Sequence, residues 1–513
     1  MSYLILKHNC KFKLIYFTVE MKFFYCWFLF FNFYLCLNNN FYSQSNKEIK
    51  QPNFLFVLVD DQPFDAIGFV KRYPFLKTPN IDRLYEEGVN FENFFVTQSI
   101  CSPSRASFLT GTYPHIHGVN QNNKYVDPNW EKFAPYSVHL QDAGYQTAHI
   151  GKIHMAHFKG KDHIRPGFDY WFSFVGQGKY IDPPVNDNGF EYKEKGYITD
   201  ILTEKTINWL KDKRDPNKPF SLNLWHKAVH EPHIPAQRHN NLYDKVELPT
   251  PPYDTHKETF KGKPLWQRKK TFGFEWKKNL PIPDELPEKK WPINYERNIQ
   301  LLKCIIAIDE SLGKVLKALE EIGELDNTVV IYSSDNGYFL GEHTFNDKRL
   351  AYENSMRIPM LIRFPTLIKN KTTISEQCLN IDVAPTILDL AGVEIPSYMQ
   401  GDSMKELLKG EKVSNWRKSI LFEYYLDSYW PYAGPNLIAV RTDRYKLVDN
   451  FIKNDIDELY DLKHDPGELN NLINNDNYDK IEEELRNEAT RLKSYYNYNP
   501  DRDWWLRKVL KNN

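Results

Sequence analysis

The sequence predicts an α/β fold: a largely parallel sheet covered by helices on both faces, followed by a smaller α+β domain built on an antiparallel sheet. Three observations carry that reading. The run "NFLFVLVDD" (53–61) is apolar without alternation, the pattern of a strand buried on both faces. Strand-like runs of this kind then alternate with segments of helical period. From about residue 415 the texture changes to short strand-like runs and one charged amphipathic helix.

The elements follow in order. "TPNIDRLYEEG" (78–88) reads as a helix started by Pro79 and closed by Gly88. "VHLQDAGYQTAHIGKIHM" (138–155) gives a helix, a turn at Gly144 and a strand that delivers Lys152 and His154 to its end. "NIQLLKCIIAIDESLGKVLKALEEIGELDNTVVIYSSDNG" (298–337) gives a long amphipathic helix, a turn at Asp326 and Asn327, and a strand ending in Asp335 and Asn336. Three strand ends thus carry polar groups, at the edge where open α/β sheets bind ligands. Residues 235–297, rich in proline, lysine and aromatics, predict long ordered loops over one edge of the sheet rather than a separate domain. "SILFEYY", "LIAVRTDRYKLV" and "DELYDL" supply the C-terminal strands, and "NYDKIEEELRNEATRLKSYY" the closing helix. The resulting division is a leader over 1–45, a main domain over 46–410 and a C-terminal α+β subdomain over 411–513.

With 513 residues, 41% of them hydrophobic and 15% aromatic, the chain can bury a large core. A formal charge of -1 provides no global field for nucleic acid or an anionic membrane surface, so neither is expected as a partner. From Met21, "MKFFYCWFLFFNFYLCL" sets Lys22 before an apolar core that ends near Leu37, with Ser43 and Ser45 at a plausible cleavage spacing. This is the pattern of a secretory signal, started at Met1 or Met21, and it predicts an exported protein, periplasmic or secreted. The apolar core is shorter than the roughly 18 residues a membrane span needs, so no stable anchor is expected after cleavage. Cys10, Cys26 and Cys36 fall in the leader, which leaves Cys101, Cys304 and Cys378. An odd count means that one of them is not in a disulfide. Cys304 is either a small core residue or the partner of Cys378, and Cys101 is the odd one out.

Asp60, Asp61, Asp335 and Asn336 are hard oxygen ligands at strand ends, and their carboxylates would repel one another without a cation between them. Calcium suits such a set, magnesium less so, and no thiol or histidine set points to zinc. In "SICSPSRASFLTG" (99–111), Ser102 and Pro103 resemble a helix cap and a first helical residue. That start would aim free backbone N–H groups at an anion beside Cys101, and Arg105 adds a rigid fork of donors. On chemistry alone this reads either as an activated thiolate or as an ordinary buried cysteine.

"CSPSRASFLTG" resembles the Cys-x-Pro-x-Arg and Thr-Gly motif of the type I, formylglycine-dependent sulfatases. "VLVDDQ", "TGTYPHIHGV", "GKIHM", "SSDNGYFLGEH", "DVAPTILDLAG" and "ELYDLKHDPGELNNL" resemble further blocks of that family, in its order. "HKAVHEPHIPAQRH" and "NDKRLAYENSMRIP" are most similar to the group containing glucosamine 6-sulfatases and related polysaccharide sulfatases. The resemblance implies an alkaline-phosphatase-like mixed sheet sandwiched by helices. It implies that a maturation enzyme oxidises Cys101 to formylglycine, and that Asp60, Asp61, Asp335, Asn336 and the modified Cys101 bind calcium. Arg105 and Lys152 would position the formylglycine hydrate, and Lys348 would offset charge on the sulfuryl oxygens. His230 would protonate the leaving alcohol, while His154 would take the second hydroxyl's proton so that the aldehyde and free sulfate re-form. Serine has no second hydroxyl for that last step. Among His226, His230 and His233, the stretch "AVHEP" favours His230 as the acid, with His233 as the alternative. His343, His226 and His233 are expected to touch the sulfated carbohydrate, with Lys227, Arg349 and Trp266 as further candidates for lining its cleft. Sugar selectivity is expected in the loops 155–200 and 235–297. Two other readings compete: a phosphodiester or phosphonate monoester hydrolase with the same motif, and a glycan-binding pseudoenzyme.

Overall fold

The run that opens the fold, Asn53–Val59 (β1), is the middle of a mixed sheet. The computed structural model describes residues 51–498, except 123, 125, 250–261, 272–293, 426–434 and 452–454. The leader and its signal lie outside the described residues. With β1, the strands Val89–Phe91 (β2), Gln146–Lys152 (β3), Tyr170–Phe174 (β4), Pro184–Asp187 (β5), Phe190–Lys193 (β6), Phe220–Trp225 (β7), Thr328–Ser334 (β8), Met360–Arg363 (β9) and Thr372–Ile374 (β10) build one sheet. Its order is β10-β2-β9-β8-β1-β7-β3-β4-β5-β6. The five central strands, β8 to β4 in that order, run parallel. β9 is antiparallel to β8, and the hairpin of β5 and β6 is antiparallel to β4, which makes the sheet mixed.

β1 shows why its interior run is apolar without alternation. Phe54, Phe56 and Leu58 point into one core, shared with helices Cys101–Thr110 (α2), Tyr136–Asp142 (α3) and Val383–Leu390 (α6). Leu55, Val57 and Val59 point into another, shared with Pro79–Glu86 (α1), Ile198–Asn208 (α4) and Tyr295–Glu321 (α5). Every residue of β1 is buried; residues 54–59 are apolar, and Asn53 at the start of the strand is satisfied by Glu324 at 2.9 Å and by the Phe220 N–H at 3.0 Å.

α1 and α5 are held together by a charge that the sequence hides. Asp309, on α5, accepts the N–H groups of Asn80 and Ile81 at 2.9 and 2.8 Å, closing the open N-terminus of α1. Gly88 does not close α1 in a left-handed turn, as the sequence suggests. A Cβ there would stand 2.2 Å from Ile362 O on β9, so the glycine is what lets that strand approach.

The C-terminal sheet is Ser419–Tyr424 (β11), Leu437–Thr442 (β12), Tyr445–Asn450 (β13) and Glu458–Asp461 (β14), antiparallel throughout and covered by Asp479–Tyr495 (α7). Its apolar residues join the same core as α2 and α6. The described residues from Pro52 onward form one compact unit. Within the proline-rich stretch, Leu265–Thr271 is a helix rather than a loop, and Trp266 packs there against Tyr352 and Tyr460. Cys304 and Cys378 are both free and buried, so the disulfide considered between them does not form. No helix among the described residues is long and apolar enough to cross a membrane.

Candidate active site

Because β1 lies between β7 and β8, the C-terminal ends of these strands and of β3 open on one place. β1 ends into Asp60 and Asp61, β8 into Asp335 and Asn336, β3 in Lys152, and β7 into the segment from His226 to His233. The approach of β3 to β7 depends on Gly151, whose φ is +128° and whose Cβ would stand 1.9 Å from Trp225 O. Only glycine satisfies both conditions.

Cys101 faces this edge as the first residue of α2, which starts two residues earlier than the sequence suggests. Ile100 is extended, at φ −146° and ψ 142°, and precedes Cys101 as the cap, while its C=O accepts the N–H of Ser104 at 3.0 Å. Pro103 is therefore the third helical residue, where its missing N–H has no helical partner to lose. Ser102 lies inside the helix. Its hydroxyl donates to His154 O and its N–H donates to Asn122 Oδ1 at 3.0 Å.

Ligand atoms of Asp60, Asp61, Asp335 and Cys101 lie within 4.8 Å of one another. The thiol is 3.3 Å from Asp60 Oδ1, and Lys348 Nζ donates to Sγ at 3.2 Å. Lys152 pairs with Asp60, and Lys348 with Asp61. Arg105 Nε and Nη2 each reach Asp335 Oδ2 at 2.8 Å, and Nη1 donates to Lys152 O at 2.9 Å. The guanidinium also lies over the Trp225 ring, 5.4 Å from its centre.

The three carboxylates and the three cations cancel in formal charge, but they do not share it evenly. Burial works against the ionised form of Asp60, yet Lys152, His230, Arg105 and Lys348 hold its carboxyl well below the usual range. Asp335 is pushed up to about 6 by burial and then by the charge on Asp60, which Arg105 only partly offsets. Asn336 Nδ2 donates to Asp61 Oδ1 at 2.7 Å, while its buried Oδ1 has no partner among the described residues. Three convergent carboxylates beside an orphaned carboxamide oxygen are a donor set that fits a hard divalent cation. Burial, and then the carboxylates of Asp335 and Asp60, push the Cys101 thiol up. That upward shift runs against the reading of Cys101 as an activated thiolate.

The three histidines after β7 separate cleanly. His226 is fully buried and neither ring nitrogen has a partner among the described residues. His233 turns Nδ1 to Val229 O and has Nε2 3.4 Å from Arg297 Nε. His230 keeps its ring 17% exposed, with Nδ1 donating to Glu231 O at 2.8 Å and Nε2 3.7 Å from Asp61 Oδ2. His154 is buried beside Lys152 and its Nδ1 is unpartnered among the described residues. Lys227 points to Glu231 O at 3.4 Å, and burial brings it down to about 8. His343 sits apart from the cluster, stacked on Tyr352 with ring centres 4.1 Å apart, in the aromatic group that includes Trp266. Arg349 pairs with Asp347. The loop carrying these residues is held in unusual backbone: His343, Asp347 and Arg349 have φ of 54°, 93° and 96°. Strain of this kind collects where a side chain must be aimed.

Two residues of the site escape sequence reasoning. Gln177 accepts from Lys152 Nζ. Its one signal is a polar residue between two glycines, Gly176 and Gly178, in the 155–200 loop. Arg297, at the start of α5, bonds Tyr338 and Glu231 across the histidine segment, and nothing in its sequence context marks it.

Residues 52–393 match the sulfatase family model, and 341–495 match the model described as N-sulphoglucosamine sulphohydrolase, C-terminal. An N-acetylglucosamine-6-O-sulfatase of Bacteroides thetaiotaomicron is 35% identical over 510 residues, covering 89% of this chain and 88% of that protein. The human N-acetylglucosamine-6-sulfatase is 30% identical over 393 residues, covering 73% of this chain and 67% of the human one. A solved structure in complex with its substrate D-glucosamine-2-N,6-O-disulfate superposes with a TM-score of 0.77 at 33% identity, covering 88% of this chain and 100% of that one. A phosphonate monoester hydrolase of Agrobacterium radiobacter superposes at 0.71 with 20% identity over 87% of this chain and 96% of its own, which shows the shared fold. With both family matches laid over the strands that carry the carboxylate cage and over the sheet that follows them, the chain belongs to the sulfatase family.

Proposed function

We propose that this sulfatase removes the 6-O-sulfate of a glucosamine unit in a sulfated glycan, with formylglycine at position 101 and calcium, rather than magnesium, in the carboxylate cage. The observation that carries the reading is the cage itself: Asp60, Asp61 and Asp335 converge on Cys101, with Asn336 bonded to Asp61 at 2.7 Å. The relatives named for glucosamine 6-sulfate, and the solved complex with a 2-N,6-O-disulfate, support the choice of sugar.

Bound in the cage, the ion supplies positive charge to the sulfuryl oxygens. Oxidation of Cys101 would give an aldehyde and addition of water to it a geminal diol, one hydroxyl of which attacks sulfur as the S–O bond to the sugar oxygen breaks. Arg105 and Lys152 hold the side chain at position 101, and Lys348, already within 3.2 Å of Sγ, neutralises charge that grows during attack at sulfur. His230 donates a proton to the leaving alcohol; its bond to Glu231 O fixes the ring and leaves Nε2 for the transfer. Burial holds His230 down to about 3, so the anionic ester must bring that proton back as it binds. His154 Nδ1 takes the proton of the second hydroxyl. The segment before residue 46 fits export, which places the enzyme where such glycans are met.

The test is sulfate release from glucosamine 6-sulfate by protein made with and without a formylglycine-generating enzyme. Wild type should need the maturation enzyme, and Cys101→Ala should lose activity by about 10³-fold or more. Equal activity of that variant, or an unmodified thiol at position 101 in active protein, would overturn the mechanism. The shared fold with phosphonate monoester hydrolases keeps a second reading in play. Rates on an aryl phosphodiester beside an aryl sulfate separate the two, and the C-terminal match over 341–495 favours the sulfate.

A further inference from the structure

A second cleft, of about 590 Å³, opens between the loops that follow β1 and the C-terminal sheet. Phe64, Lys71, Asn354 and Arg357 line one side, and Asp443 and Pro466 the other. Its volume is that of a small-ligand site. It is joined to the reaction centre through the chain: Phe64 follows the metal-site residue Asp61 by three positions, and Glu342 and His343, also at its edge, belong to the loop that delivers Lys348.

The charges lining this cleft pair off unevenly. Arg72 is taken up by Asp65 and Glu342, both at 2.5 Å. Arg441 is taken up by Glu353 at 2.9 Å and by Gln377 at 2.9 Å. Glu353 also receives Lys446 at 2.8 Å. Arg357 remains, with no hydrogen bond or ion pair from its guanidinium among the described residues. It lies over the Phe64 ring at 4.5 Å, which fixes the plane of its donors. Lys71 is exposed and likewise unpaired among the described residues, and the Asn354 carboxamide has no partner there. Asp443 is the acid left over, and it already accepts from Gln377 at 2.9 Å. Half-buried and without an anion, the Arg357 guanidinium has its donors open to the cleft, where an oxyanion could take the place of water.

We infer that this cleft is a second anion subsite, in which Arg357, with Lys71 and Asn354, holds a sulfate or carboxylate of a sugar flanking the one that is cut. The inference rests on the proposed glycan sulfatase activity. A planar fork of donors suits either oxyanion, and the neighbouring lysine adds charge at the cleft's mouth. The subsite would make the enzyme a reader of the acidic pattern around its target.

The experiment compares wild type, Arg357→Gln and Lys71→Glu on glucosamine 6-sulfate and on a heparin-type tetrasaccharide ending in that sugar. The expected result is a KM raised about tenfold or more for the tetrasaccharide in Arg357→Gln, with kcat and the monosaccharide KM unchanged. A carboxyl-reduced tetrasaccharide and one desulfated away from the target sugar identify which acidic group is held: the wild type's preference falls with the group that is removed. Equal effects of the substitution on monosaccharide and tetrasaccharide, or no effect on either, would overturn the subsite. If Arg357→Gln does not fold, Lys71→Glu, on an exposed residue, carries the same comparison with the same two outcomes. Should wild type cleave neither substrate, the proposed function fails and the subsite is judged by calorimetric binding of the tetrasaccharide to wild type and Lys71→Glu, where equal Kd values would refute it.

Discussion

At the scale of single residues, the site is a problem in electrostatic accounting. Three buried carboxylates face two lysines and one arginine, so the formal charges cancel, but Asn336 Oδ1 is left without a partner among the described residues and Asp335 is pushed towards its neutral form, a donor set that a divalent cation would complete. Chelation of the wild type should therefore lower its Tm, and added calcium should raise it in a concentration-dependent way, in Cys101→Ala as in wild type. A Tm indifferent to both would remove the metal from the account. Arg105 is fully buried, with Nε donating to Asp335 and Nη2 in ion-pair contact with it, so Arg105→Ala should cost about 3–5 kcal/mol of stability, read by denaturant unfolding, because it strands a carboxylate in the core. Asp60, Asp61, Asp335 and Asn336 were legible in the sequence because polar residues closing apolar runs stand out. Gln177 and Arg297 were not, since a loop glutamine and a helix-start arginine acquire a role only when distant segments meet.

At the scale of elements, a strand buried on both faces leaves little room for error at its ends. Gly151→Ala would drive a methyl group into the carbonyl of Trp225 and impose a left-handed strain at the same time. It should destabilise the protein by more than about 2 kcal/mol and misplace Lys152, seen as a lowered Tm together with a lowered kcat. The sequence revealed the existence and type of β1, β3, β8 and α5, whose periods are long and clear. It misread the start of α2, because "SP" mimics a cap while the extended Ile100 does the capping. It also missed the Asp309 bond to α1, since a carboxylate on a helix pattern looks solvated until another helix terminus is set against it.

At the scale of the whole molecule, the C-terminal sheet is fastened by charges as well as by its share of the core. Arg441 reaches Glu353 at 2.9 Å, Arg417 grips Asp382, and His115 Nδ1 is 2.7 Å from Glu423 Oε2. Burial alone would lower the His115 imidazole, but Glu423 outweighs it and the net shift is upward. This pairing therefore stabilises fully below the ordinary histidine value of about 6.5, and its contribution is lost as pH rises through the higher folded-state value. The Tm gap between wild type and His115→Gln should be widest near about pH 5 and narrower at about pH 9; a gap independent of pH would deny the pair its role. The sequence showed that a second sheet follows the first. It could not show which charges fasten the two together, because every one of those pairs spans a long interval of chain.

The 0% exposure of Cys101 sets an order of events in biosynthesis. α2 is buried along its whole length, and the sulfur lies beneath lysine, arginine and three acids, out of reach of any second protein. An enzyme that oxidises this residue must meet it while the chain is still unfolded, during or just after its synthesis. Folded, unoxidised protein offered to that enzyme should stay inert indefinitely, while a peptide spanning residues 99–111 should be converted; conversion of the folded protein would show that the helix opens.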